Sequence, residues 1–508
     1  MKKNLVTSAV ILIIAGLITK ILGFVYRIYM SNLIGAEGMG LYQLIMPVYA
    51  LAWSISCSGF TTTISKLTSQ EKAKGQHGNI NRFLKQAVVI TSALGLLLGI
   101  ILFYFAPHIA VTIFNEPRIT MSLKLLAIGF PFMSAGSCIR GYFFGLQDAM
   151  IPAVSQVFEQ VVRMFVIYIL ASFLLPLGIE YAAAAAVLGI VIGEILSFIY
   201  VAFAFKDYKR KGKRKKTKPS ISSSSSLKLL FAMSIPLSLS RIFGSLLSTV
   251  ENILIPRRLM AGGLTNTEAL SEFGKITGMA MPLILFPSVI LVSFAISLVP
   301  AISEDLALKN YKKINLTVSK TMLFTMIIGI GAAGGFILFA DMLGLVIYNQ
   351  NISEMLFLLG LLVPFLYTNM VLSGVLNGLG EQVFILRNSL IASAICIFFI
   401  YFAVPTMGIS GYIAGYFASL MLLSVLSLLR IKKTAKIHIE PVTWFIKPIL
   451  SVLIAGLFTY LTKQYIYDAL GDIFGLMLSV TMMGLIYLAF VVLLGCVSKE
   501  DFQAIFKK

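Results

Sequence analysis

LVTSAVILIIAGLITKILGFVYRIYMSNL, residues Leu5 to Leu33, runs for 29 residues with only two charged side chains, Lys20 and Arg27. About 20 apolar residues are enough for a helix to cross the hydrocarbon layer of a bilayer. The Met1-Lys2-Lys3 start has the look of a secretory leader, but the apolar run is too long and carries charge in its interior, so it reads as a retained first span. Comparable runs recur along the 508 residues at 42–64, 83–106, 120–144, 152–175, 181–205, 229–255, 271–300, 320–340, 354–376, 383–403, 409–429, 446–462 and 473–496, fourteen in all. The chain is 58% hydrophobic and 12% charged, with a mean hydropathy of +0.93. No water-soluble core absorbs that much apolar surface. Strict alternation of apolar and polar residues is missing, which argues against a β-barrel. The expected fold class is an all-α integral membrane protein.

Basic residues fix the expected orientation, because loops that stay in the cytoplasm collect Lys and Arg. With the N-terminus inside, 30 of the 41 basic residues fall on inner segments and six on outer ones. Both termini are therefore expected in the cytoplasm of a bacterial plasma membrane. The net charge of +20 then reports topology rather than nucleic-acid binding, and the run Lys206–Lys218 is expected to lie against anionic headgroups. Cys57, Cys138, Cys396 and Cys496 sit in apolar spans without paired spacing, so neither disulfides nor a metal site is expected. No G-x-x-x-x-G-K-[ST] loop occurs, which removes ATP drive within the chain, and no cofactor is expected.

The serine-rich stretch Ser220–Ser226 separates six spans from eight, and the two sides repeat one another. Thr19-Lys20-Ile21-Leu22-Gly23 matches Ser240-Arg241-Ile242-Phe243-Gly244, 221 positions on. Pro131, Gly141 and Gly145 match Pro364, Gly374 and Gly378 at an offset of 233. Pro47 corresponds to Pro287, and Ile64-Ser65 to Ile302-Ser303. The expected organisation is an N-lobe of six spans (1–205), a basic and Ser-rich cytoplasmic linker (206–228), a C-lobe of six spans (229–430), and two additional spans with a tail (431–508). Repeats of six spans enter the membrane from the same side and enclose a cleft. Gly23, Gly244, Pro47 and Pro287 are candidate hinges in its walls, or else plain kinks and close-packing points.

Ionisable residues inside spans are costly enough to need a reason. At 1.5 Å per residue, Lys20 lies about 22 Å from the inner surface and Arg241 about 18 Å. Facing a cleft from duplicated positions, they would suit a diphosphate or another multiply charged anion. Arg27, two turns beyond Lys20, either joins them or reaches the outer headgroups. Arg140 lies close to the inner end of its span and is expected to snorkel. Glu159 and Arg163, four apart on one helix, form either a coupling site or a structural ion pair. Glu194 either bonds within its lobe or carries a proton or cation.

Thr19-Lys20-Ile21-Leu22-Gly23-Phe24, Gly35-Ala36-Glu37-Gly38, Arg140-Gly141-Tyr142-Phe143-Phe144-Gly145, Glu159-Gln160-Val161-Val162-Arg163, Gly178-Ile179-Glu180-Tyr181-Ala182-Ala183 and Val299-Pro300-Ala301-Ile302-Ser303-Glu304 together resemble the multidrug/oligosaccharidyl-lipid/polysaccharide exporter (MOP) superfamily, in its branch of stage V sporulation protein B and MurJ-type lipid II flippases. The resemblance implies a MATE-like fold of fourteen helices, in two six-helix lobes plus two. It also implies export of an undecaprenyl-diphosphate-linked sugar by alternating access, for peptidoglycan, spore cortex or polysaccharide synthesis. By motif, the basic residue that serves the central cavity falls on Lys20. Two alternatives stay open: a cation or drug antiporter of the same superfamily, which would want carboxylates in the cleft, and a non-transporting scaffold that recruits cell-wall synthases. An enzyme is not expected, since no constellation of nucleophile, base and metal appears in the spans.

Overall fold

The computed structural model describes residues 2–210, 218–435 and 441–496; most of the basic run Lys206–Lys218 and the C-terminal tail lie outside the described residues. Among the described residues, twelve helical stretches are long and apolar enough to cross a membrane. Two are too long for one crossing: Ile14–Ala73 has 60 residues and Val442–Leu493 has 52, roughly 90 Å and 78 Å of helix against about 30 Å of hydrocarbon. Each is broken at a glycine, Gly35 (φ 65°, ψ −171°) and Gly471 (φ 73°, ψ 173°), a backbone region open essentially to glycine alone. Each stretch therefore supplies two spans, and the total is fourteen.

The backbone groups into two units, Met1–Arg257 with Thr265–Gly274, and Arg258–Leu264 with Lys275–Lys508. The first contains α1 (Lys2–Trp53), α2 (Gly59–Ala73), α3 (His77–His108), α4 (Thr120–Gly145), α5 (Met150–Leu174), α6 (Ile179–Arg210), α7 (Ser223–Ala261) and α8 (Asn266–Gly274). Helix α4 packs on α2, α3 and α6. Lipid tails are as apolar as leucine, so helices in a bilayer associate by close approach of small residues. A side chain at Gly141 would come within 2.6 Å of the Thr61 carbonyl, and one at Gly95 of α3 within 2.7 Å of the Phe130 carbonyl. Phe60, Ile64, Phe83, Tyr142, Phe143 and Val201 fill the space below these crossings. The exposed surface is itself apolar, with Tyr104, Phe165, Tyr168, Phe173 and Phe203 among its large side chains, as expected of a face that meets lipid.

At the end where α1 breaks, α8 seats on α1 through two glycines. Cβ atoms at Gly40 and Gly274 would overlap the Leu270 and Ala36 carbonyls. A polar clasp lies beside them. Arg118 Nε is 2.7 Å from Glu116 Oε1, its Nη1 is 2.6 Å from Glu37 Oε1, and the Asn266 amide donates to Glu116 Oε2 at 2.7 Å.

The second unit holds α9 (Met281–Leu285), α10 (Val289–Ala307), α11 (Tyr311–Leu338), α12 (Ala340–Tyr348), α13 (Ser353–Gly378), α14 (Gln382–Phe402), α15 (Val404–Met407), α16 (Ile409–Ala435) and α17 (Lys447–Leu493). Side chains at Gly374 and Gly378 of α13 would meet the Ala295 and Val299 carbonyls of α10 at 2.7 and 3.0 Å. The glycine pair repeated at an offset of 233 therefore does one job twice, seating α4 on α2 and α13 on α10. Helix α17 closes on α11 with Gly331 against the Tyr487 ring, whose hydroxyl donates to the Ile327 carbonyl at 2.8 Å.

Grouping by contact differs from grouping by sequence repetition at α7. The duplication assigns that helix to 229–430, whereas its contacts join it as far as Arg257 to the first half. Helix α7 crosses α2 closely at Gly59, where a Cβ would overlap the Ser234 carbonyl and the Ser238 hydroxyl.

Candidate functional site

Among the described residues of the first unit, three basic side chains, Lys20, Arg27 and Arg241, form no ion pair with a carboxylate. Ile14, Ile18, Ile21 and Val25 form an exposed apolar stripe on α1. At 3.6 residues per turn, Lys20 and Arg27 project roughly 130–150° away from it, next to the buried face that carries Ala15, Tyr26 and Met30. Lys20 is exposed and Arg27 half-buried. Among the described residues of this unit, Lys20 takes part in no hydrogen bond and no ion pair. Gly23 lies between them on the same side, where a Cβ would be 3.8 Å from the Gln160 amide of α5, and the helix passes through it without interruption.

Arg241 is held, but by neutral groups. Its Nη1 donates to the Ser58 carbonyl at 2.8 Å and its Nη2 to the Thr62 hydroxyl at 3.3 Å, while its guanidinium carbon lies 5.5 Å from the centre of the Trp53 ring. These partners bracket a widened π turn, Ser54–Ser58, which follows Pro47 in α1. The Ser54 and Ser245 hydroxyls, 2.7 Å apart, complete the crossing of α7 over α2. Helix α7 runs unbroken through Gly244, where a Cβ would meet nothing within 4 Å. Pro287 lies in the interruption Phe286–Ser288 between α9 and α10.

Glu159, Arg163 and Glu194 belong to a second cluster, buried among α1, α4, α5 and α6. Arg163 Nη2 lies 3.0 Å from Glu159 Oε1. The Tyr49 hydroxyl donates to Glu194 Oε1, and Arg140 Nη2 stands 3.8 Å from Glu194 Oε2. Arg140 also donates to the Ser197 and Ser137 hydroxyls at 3.2 and 3.1 Å. Two glycines on α6 make room: a side chain at Gly189 would come within 3.1 Å of the Arg163 carbonyl, and one at Gly193 within 3.1 Å of the Glu159 carbonyl. Two acids and two bases balance, which is how buried charges are tolerated.

Arg140 corrects the snorkelling expectation. Its side chain is 12% exposed, because Glu194 and two serines give it partners in the interior. Tyr49, Trp53 and Ser58 carry no mark in the sequence that separates them from ordinary span residues. Outside the spans, burial alone would raise the Glu116 carboxyl, but hydrogen bonds from Arg118 and Asn266 outweigh it and hold the group below its ordinary value. Among the described residues no group of His, Cys, Asp and Glu could hold a metal ion.

Residues 5–306 match the profile of the family described as polysaccharide biosynthesis protein. Stage V sporulation protein B of Bacillus subtilis (strain 168) is 30% identical over 99% of this chain and 98% of its own length. Lipid II flippase MurJ of the same organism is 27% identical over 63% of this chain and 62% of its own. A solved structure of lipid II flippase MurJ in an inward closed conformation superposes with a TM-score of 0.72 at 16% identity, covering 95% of this chain and 98% of that one, which shows the fold. This chain belongs to the polysaccharide biosynthesis protein family, in the MOP-superfamily branch of stage V sporulation protein B and MurJ.

Proposed function

We propose that this multi-pass membrane transporter is a flippase that carries an undecaprenyl-diphosphate-linked oligosaccharide, such as lipid II, from the inner to the outer leaflet by alternating access. The product would feed peptidoglycan, spore cortex or polysaccharide synthesis at a bacterial plasma membrane, with both termini cytoplasmic. The observation that carries the reading is the surplus of positive charge in the spans. Of the acids in the spans, Glu159 and Glu194 are matched by Arg163 and Arg140, and among the described residues no carboxylate pairs with Lys20, Arg27 or Arg241. A lysine ammonium at mid-span depth with no partner is costly, and a diphosphate would supply the missing anion.

Cation antiport would need an unmatched carboxylate, and both acids of the cluster are taken. Gly23, Pro47, Gly244 and Pro287 are the places where the walls would bend. The relationship to stage V sporulation protein B and to MurJ supports the lipid cargo.

The test is reconstitution in proteoliposomes with fluorescent lipid II, scoring the fraction that changes leaflet. The wild type is expected to move it, and the Lys20→Ala/Arg241→Ala double variant to do so at least about tenfold more slowly, the loss expected for charge-assisted hydrogen bonds. Export of an organic cation by the wild type, with no lipid movement, would replace this reading with antiport.

A further inference from the structure

The first unit contains a cavity of about 520 Å³ where α3 begins and α7 is entered. Its polar end is formed by Arg82, Lys85 and Gln86, its apolar end by Val89, Ile90 and Leu227, and among the described residues no carboxylate lines it. The chain entering α7 is pinned at one wall. The Asn79 side-chain carbonyl accepts from the Ser220 and Ile221 amides at 2.9 and 3.2 Å, the Arg82 guanidinium donates to the Ile221 carbonyl, and the Gln86 amide donates to the Ser223 hydroxyl at 2.9 Å. Lys85 is exposed and, among the described residues, has neither a hydrogen bond nor an ion pair.

The cavity does not end at its apolar side. Lys85, Val89, Ala93, Leu96, Leu97 and Ile100 are exposed at helical spacing along one face of α3. From Lys85 to Ile100 that stripe runs about 22 Å, more than the depth of one leaflet's hydrocarbon. A cationic collar at the end of a span, open to a continuous apolar strip, has the polarity order of a phospholipid: charged head, then acyl chain.

We propose that this cavity is a binding site for an anionic glycerophospholipid, its phosphate seated between Arg82 and Lys85 and an acyl chain lying along Val89 and Leu96. The site is separate from the cargo residues and does not depend on what the protein transports. Its occupant ties the end of α3 to the segment that enters α7.

The test is native mass spectrometry of the full chain, delipidated in detergent and titrated with phosphatidylglycerol or phosphatidylcholine. The wild type is expected to retain phosphatidylglycerol preferentially. Lys85→Ala should weaken retention about fivefold, the effect of one basic residue at a membrane surface, Lys85→Arg should preserve it, and Val89→Glu should reduce it through the acyl end. Equal retention of both lipids, or no change in Lys85→Ala, overturns the site. Displacement of phosphatidylglycerol by millimolar inorganic phosphate would assign the cavity to a free anion instead and overturn the lipid.

Discussion

Lys20 and Arg140 are both cations inside spans, and they differ in what stands next to them. Counting residues along one helix places each charge within a span, but the partner of Arg140 sits 54 positions later on α6 and is invisible to that count, which is why the sequence points to snorkelling there. Breaking a buried ion pair from one side strands the other charge. Glu194→Gln is therefore expected to lower stability by about 3 kcal/mol, and Glu194→Gln/Arg140→Gln to recover more than half of it, as read by thermal unfolding in detergent. The Glu116 clasp adds a pH dependence. Its carboxyl sits below its ordinary value in the folded protein, so its contribution is complete above that ordinary value and is lost as the pH falls through the lowered one. Across that acidic window the wild type should lose more unfolding temperature than Glu116→Gln, which starts lower because charged hydrogen bonds are worth about 2 kcal/mol.

Helix existence is plain in the hydropathy because a span has a minimum length, and the gaps between spans show where each long helix turns back, yet the residue that makes the turn is hidden. Gly35 stands in Gly35-Ala36-Glu37-Gly38, where nothing local distinguishes it from Gly38, and only the backbone angles single it out. Gly35→Ala is expected to cost about 1–3 kcal/mol, whereas Gly456→Ala, where a Cβ meets nothing within 4 Å, should change little. The repeated glycines are legible as a repeat, but their task becomes visible only with the carbonyls they face. Gly59 had no such signal. Gly59→Val should push α7 off α2, loosen the Arg241 bonds to Ser58 and Thr62, and slow lipid movement together with a lower unfolding temperature.

For the whole molecule, composition and charge bias determine class and expected orientation, while the grouping of helices requires coordinates, as α7 demonstrates. Orientation is measurable by labelling single cysteines with a membrane-impermeant maleimide, against a low background because all four native cysteines are buried. Thr265→Cys is expected to react in intact cells and Lys74→Cys only after permeabilisation; the opposite pattern would invert the topology. Seating of a diphosphate on the unmatched cations of the spans is read by titrating purified protein with undecaprenyl diphosphate and undecaprenyl phosphate. The diphosphate should bind more tightly, and Lys20→Ala should weaken it about tenfold or more while Lys20→Arg retains it. Equal affinity for the two lipids, or an unchanged dissociation constant in Lys20→Ala, would mean that these cations do not hold the diphosphate.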